Sequence, residues 1–316
     1  MTLSALLPTR KPWFWSFAAA FAAWGMLVLF LQGRGADEAV TASLAFAAFF
    51  VIVGLGQMMV ITLGPGNIDL SIPATITLAA VVAMRVMGGE DANIPLGVLA
   101  ALGCGVAVGL FNNVLIHLLR MPPIIATLSA SFLIQSAAIS YGRGLQVRPP
   151  QALQDFATAR LYGVPVNAVC AVLLAAVVGV VLARTVYGRS VLAVGQNPRA
   201  AWLAGVRVGL VRSATYVLCA VFAALCGVLL AGFSGGASLD MGQEYLLASI
   251  AVVVIGGCSV AGGRANVPGI WGASLFLFLL VSMLNSMGLG AGFRLVLTGL
   301  IIIAVITLAG GEPAQR

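Results

Sequence analysis

Charged side chains are scarce in this chain: 8% of its 316 residues are Asp, Glu, Lys or Arg, whereas 61% are hydrophobic. So few polar side chains cannot cover a globule in water, and a water-soluble domain is therefore excluded. The apolar runs reach about twenty residues, the length that a membrane-spanning helix needs. They lack the strict alternation of barrel strands. We therefore predict an all-α polytopic membrane protein.

Lysine and histidine occur once each, as Lys11 and His117. A phosphate-binding loop of the GxxxxGK[ST] type needs a lysine after its glycines, and Lys11 does not stand in such a motif. A single histidine builds neither an HExxH motif nor a histidine-based metal cluster within one chain. The sequence therefore predicts no catalytic residue, no metal site and no cofactor of its own.

Gly, Pro, Asn and charged residues interrupt the apolar runs and divide the chain into ten predicted spans. The first span begins with aromatic residues and is longer than the core of a cleaved signal peptide, so we expect it to be retained. Five spans in each half would give the halves opposite topologies, as in inverted-repeat transporters. A faint repeat supports this: a span precedes a polar break at "GPGNIDLSIP" and again at "GGCSVAGGRANVPG". The predicted spans are 13–31, 41–63, 73–88, 95–119, 124–142, 166–184, 214–233, 245–261, 267–288 and 293–310.

These spans form one predicted transmembrane domain, 1–316, with a first half at 13–142 and a second half at 166–310. A loop at 143–165 is expected to be periplasmic and a loop at 185–213 cytoplasmic, because basic residues mark the inner side. The basic residues behind the net charge of +7 are thus explained by membrane orientation, and we expect no nucleic-acid partner. An even number of spans brings both termini to the cytoplasm. The basic residues on the inner side are Arg10, Lys11, Arg120, Arg184, Arg189, Arg199, Arg207, Arg212, Arg264 and Arg316.

The stretch "ITLGPGNIDLSIPA" predicts a broken helix near 64–73. Gly64 and Pro65 end one helix, and Pro73 is tolerated in the first turn of the next. Irregular backbone at membrane depth persists only when it is buried in protein or lines a watery cavity. Asp69 has two interpretations: it lines a translocation path, or it accepts backbone N–H bonds and holds the break together. The predicted path residues are Gln57, Asn67, Asp69, Ser71, Asn112 and Asn285.

The loop at 185–213 predicts a short surface helix flanked by arginines. Asn197 is a favourable N-cap, Pro198 suits the first helical position, and Gly205 stops the helix. Such a helix either docks a cytoplasmic partner or lies as a basic helix on anionic lipid.

Two glycines of the fourth predicted span, Gly105 and Gly109, have the GxxxG spacing. They share one helix face and lack side chains, so a neighbouring helix can approach that face closely. We therefore predict a tight helix–helix contact at this face, which says nothing about a substrate.

Four further blocks stand in order along the chain: "GQMMVITLGPGNIDLSIPA", "GLFNNVLIHLLRMPPIIATLSA", "YGRSVLAVGQNPRAAWLAGV" and "IAVVVIGGCSVAGGRANVPG". Together they resemble the membrane permease subunits of bacterial ABC importers for ribose, xylose, arabinose and related sugars. The positions that carry the resemblance in the first three blocks are Gly56, Val60, Ile61, Gly64, Ile68, Asp69, Leu70, Ser71, Asn112, Pro122, Pro123, Ala126, Thr127, Leu128, Gly188, Arg189, Ala193, Gly195, Asn197, Ala200, Ala201 and Gly205.

The resemblance implies a permease of the bacterial inner membrane that has no ATPase of its own. A separate cytoplasmic ATPase subunit would bind ATP and Mg and move the permease. A periplasmic binding protein would deliver the solute near Asp155 and Asp240, and a second permease copy or a paralogue would complete the path. The ATPase contact is expected at Gly195, Asn197, Pro198, Ala200, Ala201 and Gly205.

The chain departs from the family pattern at two places. Asn67 and Pro73 replace glycines, and Leu246 and Ala248 replace an acidic pair, with Glu244 close by. The same architecture could carry nucleosides, branched-chain amino acids or a signalling molecule. Two alternatives lie outside this class of transporter. An ion-coupled carrier is disfavoured by the shortage of titratable groups in the spans. An inert scaffold would leave the capped cytoplasmic helix without a role.

Overall fold

Helices dominate the computed structural model of this chain, which describes residues 12–30, 32, 36–144, 147–287, 290, 292, 293, 296, 297, 299–301, 303 and 304. Over these residues the all-α prediction is confirmed, since the only strands are a hairpin of β1 (Arg160–Leu161) and β2 (Val164–Pro165). The helices are α1 (Pro12–Phe30), α2 (Ala36–Thr62), α3 (Ile72–Met87), α4 (Ile94–Asn113), α5 (Pro123–Gly142), α6 (Gln151–Thr158), α7 (Val166–Arg184), α8 (Val186–Gln196), α9 (Pro198–Leu203), α10 (Val208–Ser234), α11 (Tyr245–Ile255) and α12 (Val267–Ser286). A 3-10 turn (Asp91–Asn93) precedes α4 and a π turn (Val114–Leu118) follows it.

Nine of the ten predicted spans are helices in the described part of the chain. Seven helical segments there are long and apolar enough to cross a membrane, and α3 and α11 are shorter apolar helices. The span predicted to end at 261 was too long, because α11 ends at Ile255 and a glycine-rich turn follows. The tenth predicted span, 293–310, lies largely outside the described residues.

The two longest helices, α2 and α10, form the centre of the bundle. They pack against each other; α10 also packs against α3 and α4, and α2 against α11 and α12. Most of α2 and α10 is buried, whereas only about a fifth to a third of α1, α4, α5 and α7 is buried. Exposed apolar side chains on these outer helices, such as Leu99, Phe132 and Leu173, suit contact with lipid tails, which are as apolar as leucine.

Two parts of the chain repeat the same order of elements. Both α2 and α10 have 27 residues, and each is followed by a break, a short helix and a long helix. The long helices α4 and α12 start at the motif Ala-Asn-Ile/Val-Pro, and Asn112 and Asn285 stand at the same distance beyond it.

This order fits two related halves and makes 63–71, here named the first break, the counterpart of 235–244, the second break. The repeat predicted from the sequence was different, since it paired the first break with a segment that includes 256–266. We call 256–266 the glycine turn; it corresponds instead to the short connection between α3 and α4.

The GxxxG face of α4 packs directly on α10. A Cβ added to Gly105 would lie 2.8 Å from the carbonyl oxygen of Ala220, and one added to Gly109 would overlap the backbone of Val217. The predicted close helix–helix contact is therefore confirmed, and α10 is the partner helix.

Candidate functional site

The first break separates α2 from α3, as the sequence predicted. Gly64 and Gly66 adopt φ angles of 120° and 78°, a region that residues with a side chain rarely occupy. Pro73 stands in the first turn of α3, where its missing N–H costs no helical hydrogen bond. The break is therefore built into the sequence at both of its ends.

Four of the predicted path residues meet in one buried cluster. The Oδ1 atom of Asp69 accepts hydrogen bonds from the backbone N–H of Ser71 at 2.9 Å and from its hydroxyl at 2.6 Å. Asn112 on α4 donates from Nδ2 to the Ser71 hydroxyl oxygen at 2.8 Å, and the Asp69 N–H donates to Oε1 of Gln57 on α2 at 3.2 Å. Gln57, Asp69, Ser71 and Asn112 are each at most 1% exposed. The cluster thus ties the break to α2 and α4.

Three polar atoms of this cluster have no hydrogen-bond partner among the described residues: Nε2 of Gln57, Oδ2 of Asp69 and Oδ1 of Asn112. Buried polar groups of native proteins are nearly always paired, with protein or with water. One donor and two acceptors match a water molecule or a solute hydroxyl pair. Water is the simplest partner for these three atoms, because the cluster residues are at most 1% exposed and a solute does not reach them in this conformation.

Thr127 on α5 completes the support of the break, and the sequence analysis did not assign it to the site. Its Oγ1 accepts from the N–H of Leu70 at 3.1 Å and lies 3.2 Å from the carbonyl oxygen of Ile68. Thr127 stands in the second of the four blocks, within the Pro-Pro-x-x-Ala-Thr-Leu pattern. That pattern was the available signal, but its contact with the first break is a tertiary feature that spacing does not reveal.

The two remaining predicted path residues are Asn67, whose hydrogen bonds go to groups outside the cluster, and Asn285. Asn67 accepts from the hydroxyl of Tyr216 on α10 at 3.2 Å and donates to the carbonyl oxygen of Gly64 at 3.1 Å. Asn67 therefore fastens the break to α10. Asn285 is exposed in the last turn of α12, so it does not belong to the buried cluster around Asp69.

The predicted surface helix is present as α9. Oδ1 of Asn197 accepts from the N–H groups of Arg199 and Ala200, both at 3.0 Å, and Pro198 is the first helical residue. Gly205 follows the helix with a φ of 85°. Ala201 is the buried residue of α9. The sequence analysis did not predict α8. At the start of this helix the Thr185 hydroxyl oxygen accepts a hydrogen bond from the N–H of Gly188 at 3.0 Å.

Apolar surface is exposed around α9. Trp202 is 66% exposed, Leu203 72% and Leu210, on α10, 60%. A cleft of about 550 Å³ opens beside them between α8 and the start of α10, lined by Val186, Tyr187, Ser190, Val206, Leu210 and Val211 among others.

The second break runs from the end of α10 back into the bundle. After Gly235, which has a φ of 78°, the chain turns back along α3 and α5, where Gln135 donates to the carbonyl oxygen of Leu239 at 2.7 Å. A Cβ on Gly242 would overlap the backbone of Pro73 at the start of α3.

The ring of Tyr245, which begins α11, lies 5.2 Å from the ring of Phe50. Because Phe50 is midway along α2, the second break reaches the middle of the bundle. Ser238, Asp240, Gln243 and Glu244 are exposed along it, and the Ser238 hydroxyl donates to Asp240 at 2.9 Å. By contrast, Asp155, the other residue expected near a delivering protein, is exposed on α6 and bonded to Gln151 at 2.8 Å.

Comparison with known proteins gives a consistent family. The family model described as "Branched-chain amino acid transport system / permease component" matches residues 39–306. The chain is 31% identical to a ribose import permease protein of Bacillus subtilis, covering 81% of this chain and 80% of that protein. It is also 31% identical to a fructose import permease protein of Rhizobium meliloti, covering 81% and 73%. An autoinducer 2 import system permease protein of Enterobacter sp. is 28% identical, covering 93% and 85%. No solved structure matches the chain.

Proposed function

Because this chain belongs to the family of branched-chain amino acid transport system permease components, we propose that it is the permease subunit of an ATP-driven importer for a sugar or sugar-like solute. The observation that carries the proposal is the similarity, over four fifths of the chain, to permeases named for ribose and fructose import. Those names favour a sugar over the branched-chain amino acids of the family description. The proposed location is the bacterial inner membrane, with both termini in the cytoplasm, as the distribution of arginines predicts.

The driving energy would come from a partner subunit. The one lysine of the chain, Lys11, cannot build a phosphate loop, so ATP and Mg would be bound by a separate cytoplasmic ATPase. A periplasmic binding protein would supply the solute, and a second copy of this chain or a paralogue would enclose the passage.

The ATPase subunit would bind this chain at α9. This helix is capped by Asn197 and exposes Trp202 and Leu203 beside Arg199, a mixture that suits a groove on another protein. The cleft between α8 and α10 offers further surface. A basic helix on anionic lipid is the competing role, and the loss of ATPase co-purification in α9 variants separates the two.

The passage would run along the second break rather than through the buried cluster. Exposed carboxylates at membrane depth are costly against lipid and are found facing protein or a water-filled cavity. Asp240 and Glu244 are exposed on a segment that reaches the middle of the bundle. Gln57, Asp69, Ser71 and Asn112 would instead hold the first break in shape.

The proposal is tested by reconstituting the chain in proteoliposomes with its ATPase and binding protein. Uptake of radiolabelled sugar is expected to require ATP and loaded binding protein, to stop with vanadate, and to continue with a protonophore. Uptake by the chain alone, driven by an ion gradient, would contradict it.

A further inference from the structure

The end of α8 meets two other segments backbone to backbone. A Cβ on Gly195 would overlap the carbonyl oxygen of Thr62, the last residue of α2, and the backbone N of Gly263 in the glycine turn. The Gly263 N–H donates to that same Thr62 oxygen at 2.9 Å. The end of α2, the end of α8 and the glycine turn are therefore in direct contact, and no side chain separates them.

The first break joins the same contact. A Cβ on Gly262 would overlap Gly64 and would lie 2.9 Å from the carbonyl oxygen of Gly195. Gly64 and Gly262 have φ angles of 120° and 88°, so their conformations and their lack of side chains are both needed. We call Gly64, Gly195, Gly262 and Gly263 the glycine junction.

The other end of α8 is also tied to the membrane helices. The Tyr187 hydroxyl lies 2.8 Å from the hydroxyl of Thr215 on α10. The next residue of α10, Tyr216, donates to Asn67 of the first break. Both ends of α8 thus lead to the first break by short routes.

The exposed helix α9 starts three residues after Gly195, at Pro198, with only Gln196 and the cap Asn197 between them. Closely packed segments have low compressibility and transmit strain, so a displacement on one side of this contact is expected to be passed to the other. The alternative route runs through the chain connections of α8 to α7 and of α9 to α10.

We propose that Gly195 is the positioning residue through which displacement of α9 reaches the end of α2, the first break and the glycine turn. The inference rests on the proposed function and adds the route of transmission to it. The first break supports α3, α4 and α5 through Ser71, Asn112 and Thr127, so the displacement rearranges the helices beside the passage.

The test uses the reconstituted complex with Gly195→Ala and, as a matched control, Gly209→Ala. Gly209 lies in the first turn of α10, within the same predicted loop at 185–213, and a Cβ there meets nothing within 4 Å. The measured quantity is solute imported per ATP hydrolysed. Gly195→Ala is expected to hydrolyse ATP but to lower this ratio at least about fivefold, the lower range of coupling effects between sites. Gly209→Ala is expected to keep it. An unchanged ratio in Gly195→Ala, or equal loss in both variants, overturns the inference.

A second measurement covers the case in which Gly195→Ala does not assemble. Pro65 of the first break is exposed, so Pro65→Cys in a background without the native cysteines reports on the break through its rate of thiol labelling. ATP is expected to change this rate, and Tyr187→Phe, which removes one hydroxyl, to reduce the change. A rate independent of ATP in a complex that imports solute overturns the route. A complex without ATP-dependent import contradicts the proposed function instead.

Discussion

Nδ2 of Asn112 on α4 lies 2.8 Å from the hydroxyl oxygen of Ser71, whose hydrogen bonds in turn to Asp69. This chain of two hydrogen bonds fixes the start of α3 to α4. Because all three residues are buried, each group that loses its partner would be left unpaired away from water.

Asp69→Leu should therefore lower the thermal stability of the protein, whereas Asp69→Asn should retain most of it. The amide keeps one acceptor oxygen for Ser71, but leucine leaves the Ser71 N–H and hydroxyl without an acceptor, at about 1–3 kcal/mol for each buried group. The measurement is the thermal midpoint of the purified protein in detergent. Equal midpoints for the two variants would show that the carboxylate does not hold the break.

Asp240→Asn should lower transport while leaving assembly intact, since Asp240 is exposed on the second break. Asp155→Asn is the control, an exposed acid on α6. Sugar uptake is measured at limiting and at saturating concentrations of binding protein, together with the stimulation of ATPase by that protein. A transport defect that disappears at high binding-protein concentration would assign Asp240 to docking instead of the passage.

Asn197→Ala should weaken α9 by about 1 kcal/mol, because the N–H groups of Arg199 and Ala200 lose their acceptor. Asn197→Asp keeps the cap and should preserve function. Co-purification of the ATPase subunit and ATP-driven uptake are compared for the two variants. Equal co-purification and equal uptake for the two variants would mean that the capped helix α9 is not the binding site of the ATPase subunit.

Gly109→Val should destabilise the bundle, because its side chain would enter the backbone of Val217 on α10. Overpacking of this kind costs about 1–3 kcal/mol or more. Gly103→Val, on the same helix with nothing within 4 Å of an added Cβ, should change the thermal midpoint far less. A similar midpoint for both variants would contradict the close α4–α10 contact.

The sequence was informative wherever the signal was local. Length and hydropathy predicted nine described helices, Gly64 and Pro73 predicted the first break, and Asn197 with Pro198 predicted α9. Each of these signals acts within a few residues of the feature that it specifies. The cap of Thr185 on α8 was an equally local signal, and it was overlooked.

Contacts between segments that are distant in the chain could not be predicted from local sequence signals. Asn67 and Asn285 have the same polar character as Gln57 and Asn112, yet only the latter pair joins Asp69. Their separation follows from how α10 and α12 pack, which hydropathy does not encode. The course of the second break likewise depends on the contact of Gly242 with Pro73, which is far away in sequence.

The short helix α11 bears on how this protein is made. Its eleven residues extend only about 16 Å, roughly half the thickness of the hydrocarbon layer. A helix of this length does not cross the hydrocarbon layer by itself. We therefore expect its place in the membrane to depend on the helices that it packs against, α2 and α12, and so on the second half being made before the first half can be completed.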